Sequence, residues 1–222
     1  MIRDTDRLAT ESFDVLVVGG GIAGAGIARD AALRSLRVAL IDQGDFSGGT
    51  SCRSSKLAHG GLRYLEHARL RLVREACRER STLLRIAPHL VQPLALLFPC
   101  YRNCSRPFWK LRLGLALYDF IAGEHVVRPH RILTPDQLRS LCADIEIRDL
   151  EGGGIYYDCR MNDARLCLEN ILAATVSGAV AANYVQLTGF SKSNGRIRGA
   201  AVRDLETGRS FEIRAQMVVN ST

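Results

Sequence analysis

An α/β fold built on a parallel sheet is predicted by three features at the start of the chain. The apolar run Val15 to Val18 reads as a buried parallel strand. Gly19, Gly21 and Gly24 then stand at the three glycine positions of a GxGxxG turn that opens a helix. A second strand, Arg37 to Ile41, delivers Asp42 at the spacing of a carboxylate that accepts hydrogen bonds from a ribose hydroxyl pair. Strand, turn, helix and distant acid in this order make a Rossmann-like dinucleotide-binding unit, where a lone GxGxxG would be weak evidence.

Each glycine has its own task. Gly19 permits the tight turn, Gly21 lets the main chain approach a pyrophosphate, and Gly24 lets the helix pack closely on the strand. Gly20, Ile22 and Ala23 complete the turn and the helix start, whose free N–H groups at a positive helix end suit phosphate. Asp42 disfavours a 2′-phosphate, so NADP is not expected.

The chain of 222 residues is long enough for one or two domains, and 47% apolar with 24% charged residues is ordinary for a soluble globular protein. The formal charge of +7 comes from arginine, since only Lys56, Lys110 and Lys192 are lysines. Arg69, Arg71, Arg74, Arg78 and Arg80 alternate with Glu66, Glu75 and Glu79, which favours a solvated helix face over a nucleic-acid patch. A basic surface can still favour anionic lipid or an anionic substrate. Charges at Arg3, Asp4, Asp6, Arg7 and Glu11 interrupt the N-terminus before any apolar run, so no secretory signal is visible and residence inside the cell is expected. The longest apolar stretches are too interrupted to span a bilayer, and any membrane association is expected to be peripheral. The cysteines Cys52, Cys77, Cys100, Cys104, Cys142, Cys159 and Cys167 form no CxxC pair and read as reduced packing thiols, with no zinc and no disulfide framework.

After Asp42 the chain departs from an NAD-type domain. Gly44 to Gly61 is a glycine, serine and threonine run with Asp45, Arg53, Lys56 and His59, an extended loop suited to a long flavin dinucleotide. Helical periodicity runs from Leu62 to Ala87 and Pro88 ends it. Leu90 to Pro107 is apolar and proline-punctuated, suggesting short strands and turns entering a second lobe. Trp109 to Ile121 predicts a helix, and Thr134 with Pro135 caps and opens another. A strand follows over Glu151 to Tyr157, then a helix from Ala164 to about Ser177 capped by Asn162 and Asp163. Strands are expected at Val180 to Leu187, Arg196 to Asp204, Ser210 to Ala215 and Gln216 to Asn220, with turns at Asn194-Gly195 and Thr207-Gly208.

The run Val18 to Asp30, together with Ser54-Ser55-Lys56-Leu57-Ala58-His59-Gly60-Gly61-Leu62-Arg63-Tyr64-Leu65-Glu66, resembles the FAD-dependent glycerol-3-phosphate dehydrogenases. Ala87-Pro88-His89-Leu90, Tyr157-Asp158-Cys159, Asn162-Asp163-Ala164-Arg165-Leu166 and Val218-Val219-Asn220 extend the likeness along nearly the whole chain. The resemblance implies a Rossmann-like FAD-binding domain interleaved with an α+β substrate (cap) domain and truncated at the C-terminus. Its parts are an N-terminal tail at 1–12, a first FAD-binding part at 13–89, a cap segment at 90–160 and an incomplete second FAD-binding part at 161–222. It implies oxidation of sn-glycerol 3-phosphate to dihydroxyacetone phosphate in glycerol metabolism, with electrons passed through FAD to membrane quinone. The expected setting is cytoplasmic, peripheral on the inner face of the cell membrane, with a homodimer when full length and no nucleic-acid partner.

By the same resemblance Arg63 and Tyr64 face the substrate near the flavin ring. Arg63 can clamp phosphate bidentately and Tyr64 can donate a hydrogen bond; the alternative for Arg63 is a surface ion pair with Glu66. Ser54, Ser55, Lys56, Leu57, His59 and Gly61 would line the flavin side of the loop. His59 can hold flavin, transfer a proton near the reacting carbon as the catalytic candidate, or fix the loop. Asp158 and Asp163 read as a strand end and a helix cap. Leu187 can touch adenine through its backbone or be a plain core leucine.

Two departures from the family pattern stand out. Arg34-Ser35 replaces the usual Arg-Gly after the first helix, and the sequence ends at Ser221-Thr222 where the family continues. The alternatives are a related flavin oxidase that uses oxygen and a non-catalytic truncated FAD-binding protein.

Overall fold

The computed structural model describes residues 3–102 and 107–222. Cys104 therefore lies outside the described residues, as does the end of the Leu90–Pro107 stretch before Pro107. In chain order the elements are α1 (Thr5–Thr10), β1 (Ser12–Val18), α2 (Ile22–Leu33), β2 (Val38–Ile41), β3 (Leu57–Ala58), α3 (Leu70–Ile86), β4 (Val91–Tyr101), α4 (Phe108–Ala122), β5 (Arg131–Leu133), α5 (Pro135–Leu141), β6 (Leu150–Met161), α6 (Asp163–Val176), β7 (Val180–Ala182), β8 (Val185–Ser193), β9 (Arg196–Asp204) and β10 (Ser210–Asn220). They form two compact units, one from residues 1–55 and 162–222 and the other from 56–161. The boundary expected at 89/90 is not the one between these units: residues 56–89 cluster with the second unit, because α3 packs its Val73 and Cys77 against Tyr118 and Ala122 of α4.

The first unit holds a six-stranded sheet in the order β7-β2-β1-β10-β9-β8. β7, β2, β1 and β10 run parallel, and β9 and β8 continue the sheet antiparallel. Alternation across the strands sorts the side chains onto two faces. Val17, Val38 and Leu40 join Ala25, Ala28 and Ala32 of α2 and Cys167, Ile171 and Ala174 of α6 on one side. Leu16, Val18, Ala39 and Ile41 join Leu8, Val185, Val202 and Ile213 on the other. The small residues along α2 are what allow α2 and α6 to lie together against the sheet.

Several elements differ from expectation. The N-terminal segment at 1–12 carries helix α1, capped by Asp4 and anchored by the fully buried Leu8. The expected strand Val180–Leu187 breaks at Asn183-Tyr184, where Tyr184 adopts φ 54°. The two strands expected over Ser210–Asn220 are one: its first half pairs antiparallel with β9 and the rest parallel with β1.

The second unit is built on a sheet in the order β3-β6-β4, with β5 also paired to β6. β4 is a single strand of 11 residues rather than short pieces. Pro93 and Pro99 are tolerated because, among the described residues, β4 pairs only with β6 and is an edge. The helix expected from Leu62 splits into a 3-10 stretch, Leu62–His67, and α3, because Ala68 turns left-handed at φ 52°. α5 starts with the expected cap: the Thr134 and Gln137 side chains each accept from the other's main-chain N–H. Among the described residues no helix is long and apolar enough to cross a membrane.

Candidate functional site

In the first unit a cleft of about 650 Å³ opens at the C-terminal ends of β1, β2 and β10. That is the place where open parallel sheets take their ligands. Gly19, Gly21, Asp42 and Leu187 all lie on its wall. Gly19 turns at φ +108°, with the Ser221 carbonyl only 2.6 Å from where a Cβ would sit. At Gly24 a Cβ would come within 1.9 Å of the Gly19 carbonyl oxygen, so only glycine lets α2 start this close to the end of β1. Gly21 is the N-cap of α2, and the first intrahelical bond runs from Ala25 N–H to the Gly21 carbonyl. The N–H groups of that first turn, at Ile22, Ala23 and Gly24, have no intrahelical acceptor.

Asp42 is set by two main-chain donors. Its Oδ2 accepts from Gly20 N–H at 2.6 Å and its Oδ1 from Gly44 N–H at 2.8 Å. Each carboxylate oxygen keeps lone-pair capacity for a further donor such as a ribose hydroxyl. Gly20 thus acts through Asp42 rather than on the cleft wall.

Sequence reasoning missed part of this wall. Gly48, Gly49, Thr50 and Ser51 line the cleft too, and Ser51 Oγ accepts from Ile22 N–H at 2.9 Å. A hydroxyl therefore sits at the positive end of α2. The only signal for it was the hydroxyl-rich composition of the Gly44–Gly61 loop, which does not single out one residue. Ser54, expected to line the flavin side, donates its hydroxyl to Asp163 Oδ2 at 2.7 Å, and Ser55 is exposed. Asn162, not Asp163, caps α6 by accepting from Arg165 N–H. The open helix start, the glycine cradle and the oriented carboxylate fit an adenine dinucleotide.

Lys56, Leu57, His59, Gly61, Arg63 and Tyr64 belong to the second unit. Lys56 takes φ 56° and its carbonyl accepts Met161 N–H at 2.8 Å, while Leu57 pairs with Arg160 in the sheet. Gly61 turns left-handed at φ 75°, and Tyr64 N–H closes back on its carbonyl at 2.8 Å. His59 and Arg63 are exposed, and the His59 and Tyr64 rings lie 6.3 Å apart.

Behind this turn is a polar cluster that contradicts two expectations. Arg80 belongs to no solvated face: it is 2% exposed and pairs with Asp158, itself 2% exposed. Asp158 lies inside β6, not at a strand end. Arg80 Nη1 also donates to the Tyr118 hydroxyl at 2.8 Å, and Nη2 to the His125 carbonyl at 2.9 Å. Asp158 Oδ1 further accepts from Gly60 N–H at 2.8 Å and from the Tyr118 hydroxyl at 3.1 Å. Burial, with the Asp158 charge next, pushes the Tyr118 phenol far above its ordinary value, so it stays a neutral donor. Burial raises the Cys77 thiol as well.

The family model described as FAD dependent oxidoreductase matches residues 14–222. A glycerol-3-phosphate dehydrogenase of Synechocystis is 42% identical over 100% of this chain and 41% of its own length. An alpha-glycerophosphate oxidase of Streptococcus pneumoniae is 40% identical over 97% of this chain and 36% of its own length. Among solved structures, the glycerol-3-phosphate dehydrogenase from Bacillus halodurans complexed with FAD gives a TM-score of 0.76 at 30% identity, covering 99% of this chain and 37% of that one. The chain thus spans less than half the length of these relatives. With the glycine turn, the oriented Asp42 and the matched span of 14–222 all in agreement, this chain belongs to the family of FAD-dependent oxidoreductases.

Proposed function

We propose that the chain holds FAD in the cleft of its first unit and serves the oxidation of sn-glycerol 3-phosphate to dihydroxyacetone phosphate in glycerol metabolism, with membrane quinone as the electron acceptor. The observation that carries the cofactor reading is the convergence of Gly19, Gly21, Asp42 and Leu187 on one cleft. The substrate reading is supported by the glycerol-3-phosphate dehydrogenases at about 40% identity across nearly the whole chain. Bound flavin supplies the two-electron acceptor that a secondary alcohol needs.

The chain's own groups have complementary tasks. In the first unit the N–H groups at the start of α2 take pyrophosphate charge, and Asp42 takes ribose hydroxyls. In the second, the exposed guanidinium of Arg63 is shaped for a bidentate grip on a phosphate dianion, and Tyr64 adds a hydroxyl. His59 is the candidate to accept the alcohol proton. The net charge of +7 supports a peripheral place on the anionic inner face of the cell membrane, in the cytoplasm, and a homodimer belongs to the same reading. A second reading, with oxygen as acceptor, is favoured by the likeness to the alpha-glycerophosphate oxidase.

Flavin retention is read from the visible absorbance of this chain after incubation with FAD. Substrate use is read as anaerobic bleaching by sn-glycerol 3-phosphate on the protein at the full length its gene encodes. A bleached flavin that recovers with quinone supports the proposal, and recovery only with oxygen selects the oxidase reading. A chain that takes up no flavin overturns the cofactor assignment, and a flavin that stays oxidised overturns the substrate.

A further inference from the structure

Within the second unit, the main chain at Gly60 is held from three elements at once. Asp158 of β6 accepts its N–H, and Cys77 Sγ of α3 lies 3.9 Å from its carbonyl oxygen. Arg80 of α3 and Tyr118 of α4 close a triangle of hydrogen bonds on the same Asp158 oxygen. A Cβ at Gly60 would lie 2.0 Å from the Tyr118 hydroxyl, 2.5 Å from Cys77 Sγ and 2.9 Å from Arg80 Nη1. The cluster therefore fits the bare backbone on every side.

Stability alone gives a poor account of such a cluster. A buried ion pair contributes little net stability compared with apolar side chains of the same volume. What apolar replacements would lack is a hold on the Gly60 N–H. From Gly60 the chain runs directly into the left-handed Gly61 and the closed turn to Tyr64. The orientation of one peptide group thus determines how His59, Arg63 and Tyr64 are presented.

We propose that Arg80, Asp158 and Tyr118 are positioning residues that lock the Gly60 peptide and so set the geometry of His59, Arg63 and Tyr64. The role of those three in substrate handling rests on the function proposed above. Arg80 supplies the counter-charge for the buried Asp158, and Tyr118 donates to the same Asp158 oxygen that accepts from Gly60 N–H. Burial holds the Tyr118 phenol above its ordinary value, so its hydroxyl is kept as a donor to Asp158.

The test uses FAD-loaded protein at its full encoded length, with Tyr118→Phe as the mild variant and Asp158→Asn as the stronger one. Amide hydrogen exchange over residues 57–65 is expected to speed up about tenfold or more in both, while residues 150–157 stay protected. The KM for sn-glycerol 3-phosphate is expected to rise about tenfold with kcat held within about threefold, the mark of lost ground-state positioning. Unchanged exchange over 57–65 in both variants overturns the proposal, as does a lower melting temperature with KM unaltered. Should the unmodified protein fail to be reduced by the substrate, the functional reading falls, and the exchange experiment alone decides the positioning role.

Discussion

Two glycine turns, one in each unit, achieve rigidity by opposite means. At Gly19–Gly24 the backbone packs on itself: the Gly19 carbonyl fills the space where a Gly24 side chain would be, and donors are left open on a cleft. At Gly60–Gly61 the backbone is enclosed by side chains, and both the N–H and the carbonyl of Gly60 meet buried groups. The first turn faces a cleft, with Ser51 Oγ on the Ile22 N–H and the next N–H groups of α2 beyond it. The second has its donor consumed, so its part is to present neighbouring side chains. Glycine is required in both places, but the reason differs.

The comparison breaks most visibly at Asp158. Replacement by alanine leaves Arg80 buried without its partner and is expected to lower stability by about 4 kcal/mol, measured by chemical denaturation of the protein; a loss under 1 kcal/mol would mean that Arg80 is rehydrated without cost. Next comes Gly24→Ala, where the added methyl meets a main-chain oxygen that cannot retreat easily. We expect about 3 kcal/mol of destabilisation together with loss of flavin uptake. If this variant keeps its flavin, the self-packed account of the first turn is wrong. Asp42→Ala frees the Gly20 and Gly44 N–H groups and removes the ribose acceptor. FAD should bind about tenfold or more weakly, as read by quenching of flavin fluorescence, with about 1 kcal/mol of stability lost through the unpaired Gly20 N–H; equal affinity would remove Asp42 from the site.

The smallest effect concerns a third turn that serves as a baseline. The Arg3 guanidinium, hydrogen-bonded to Asp204, holds that carboxyl well below its ordinary value of 3.8, to about 2, with help from Thr207 and the Glu206 N–H. A carboxyl whose folded pKa is depressed stabilises the fold above its ordinary value and loses that contribution as pH falls through the folded one. Acid denaturation between about pH 4 and pH 2 should therefore be shallower in Asp204→Asn than in the unmodified protein. Identical acid limbs would show that the Arg3 tether contributes nothing to the folded state.

The first turn was legible in the sequence because its chemistry is written in residue types. Glycines, an apolar strand and an acid at fixed spacing need no long-range information, and the caps at Thr134 and Asn162 follow equally local rules. The second turn's support was not legible. Arg80 and Asp158 are 78 residues apart, and Arg80 looks like one more charge on a charged helix. A signal was present all the same, since Arg80 stands three residues after Cys77 and seven after Val73, on the apolar stripe of α3. The break at Ala68 had no such signal, because nothing in an alanine announces a left-handed turn. Ser51 was hidden in a loop of many hydroxyls, where only the folded path shows which one meets the start of α2.

The register of the central strand also governs when the protein can assemble during its own synthesis. β1 lies between β2 and β10, and Val18 is paired with Asn220, about 200 residues farther along the chain. A ribosome adding roughly 5–20 residues per second takes some 10–40 s to cover that distance. The 56–161 unit is continuous in sequence and is synthesised whole during that wait. The Gly19–Gly24 turn has one side of its strand unpaired until β10 emerges. A nascent chain therefore carries a recognisable nucleotide motif, with one edge of its strand unpaired, before it has a finished nucleotide site.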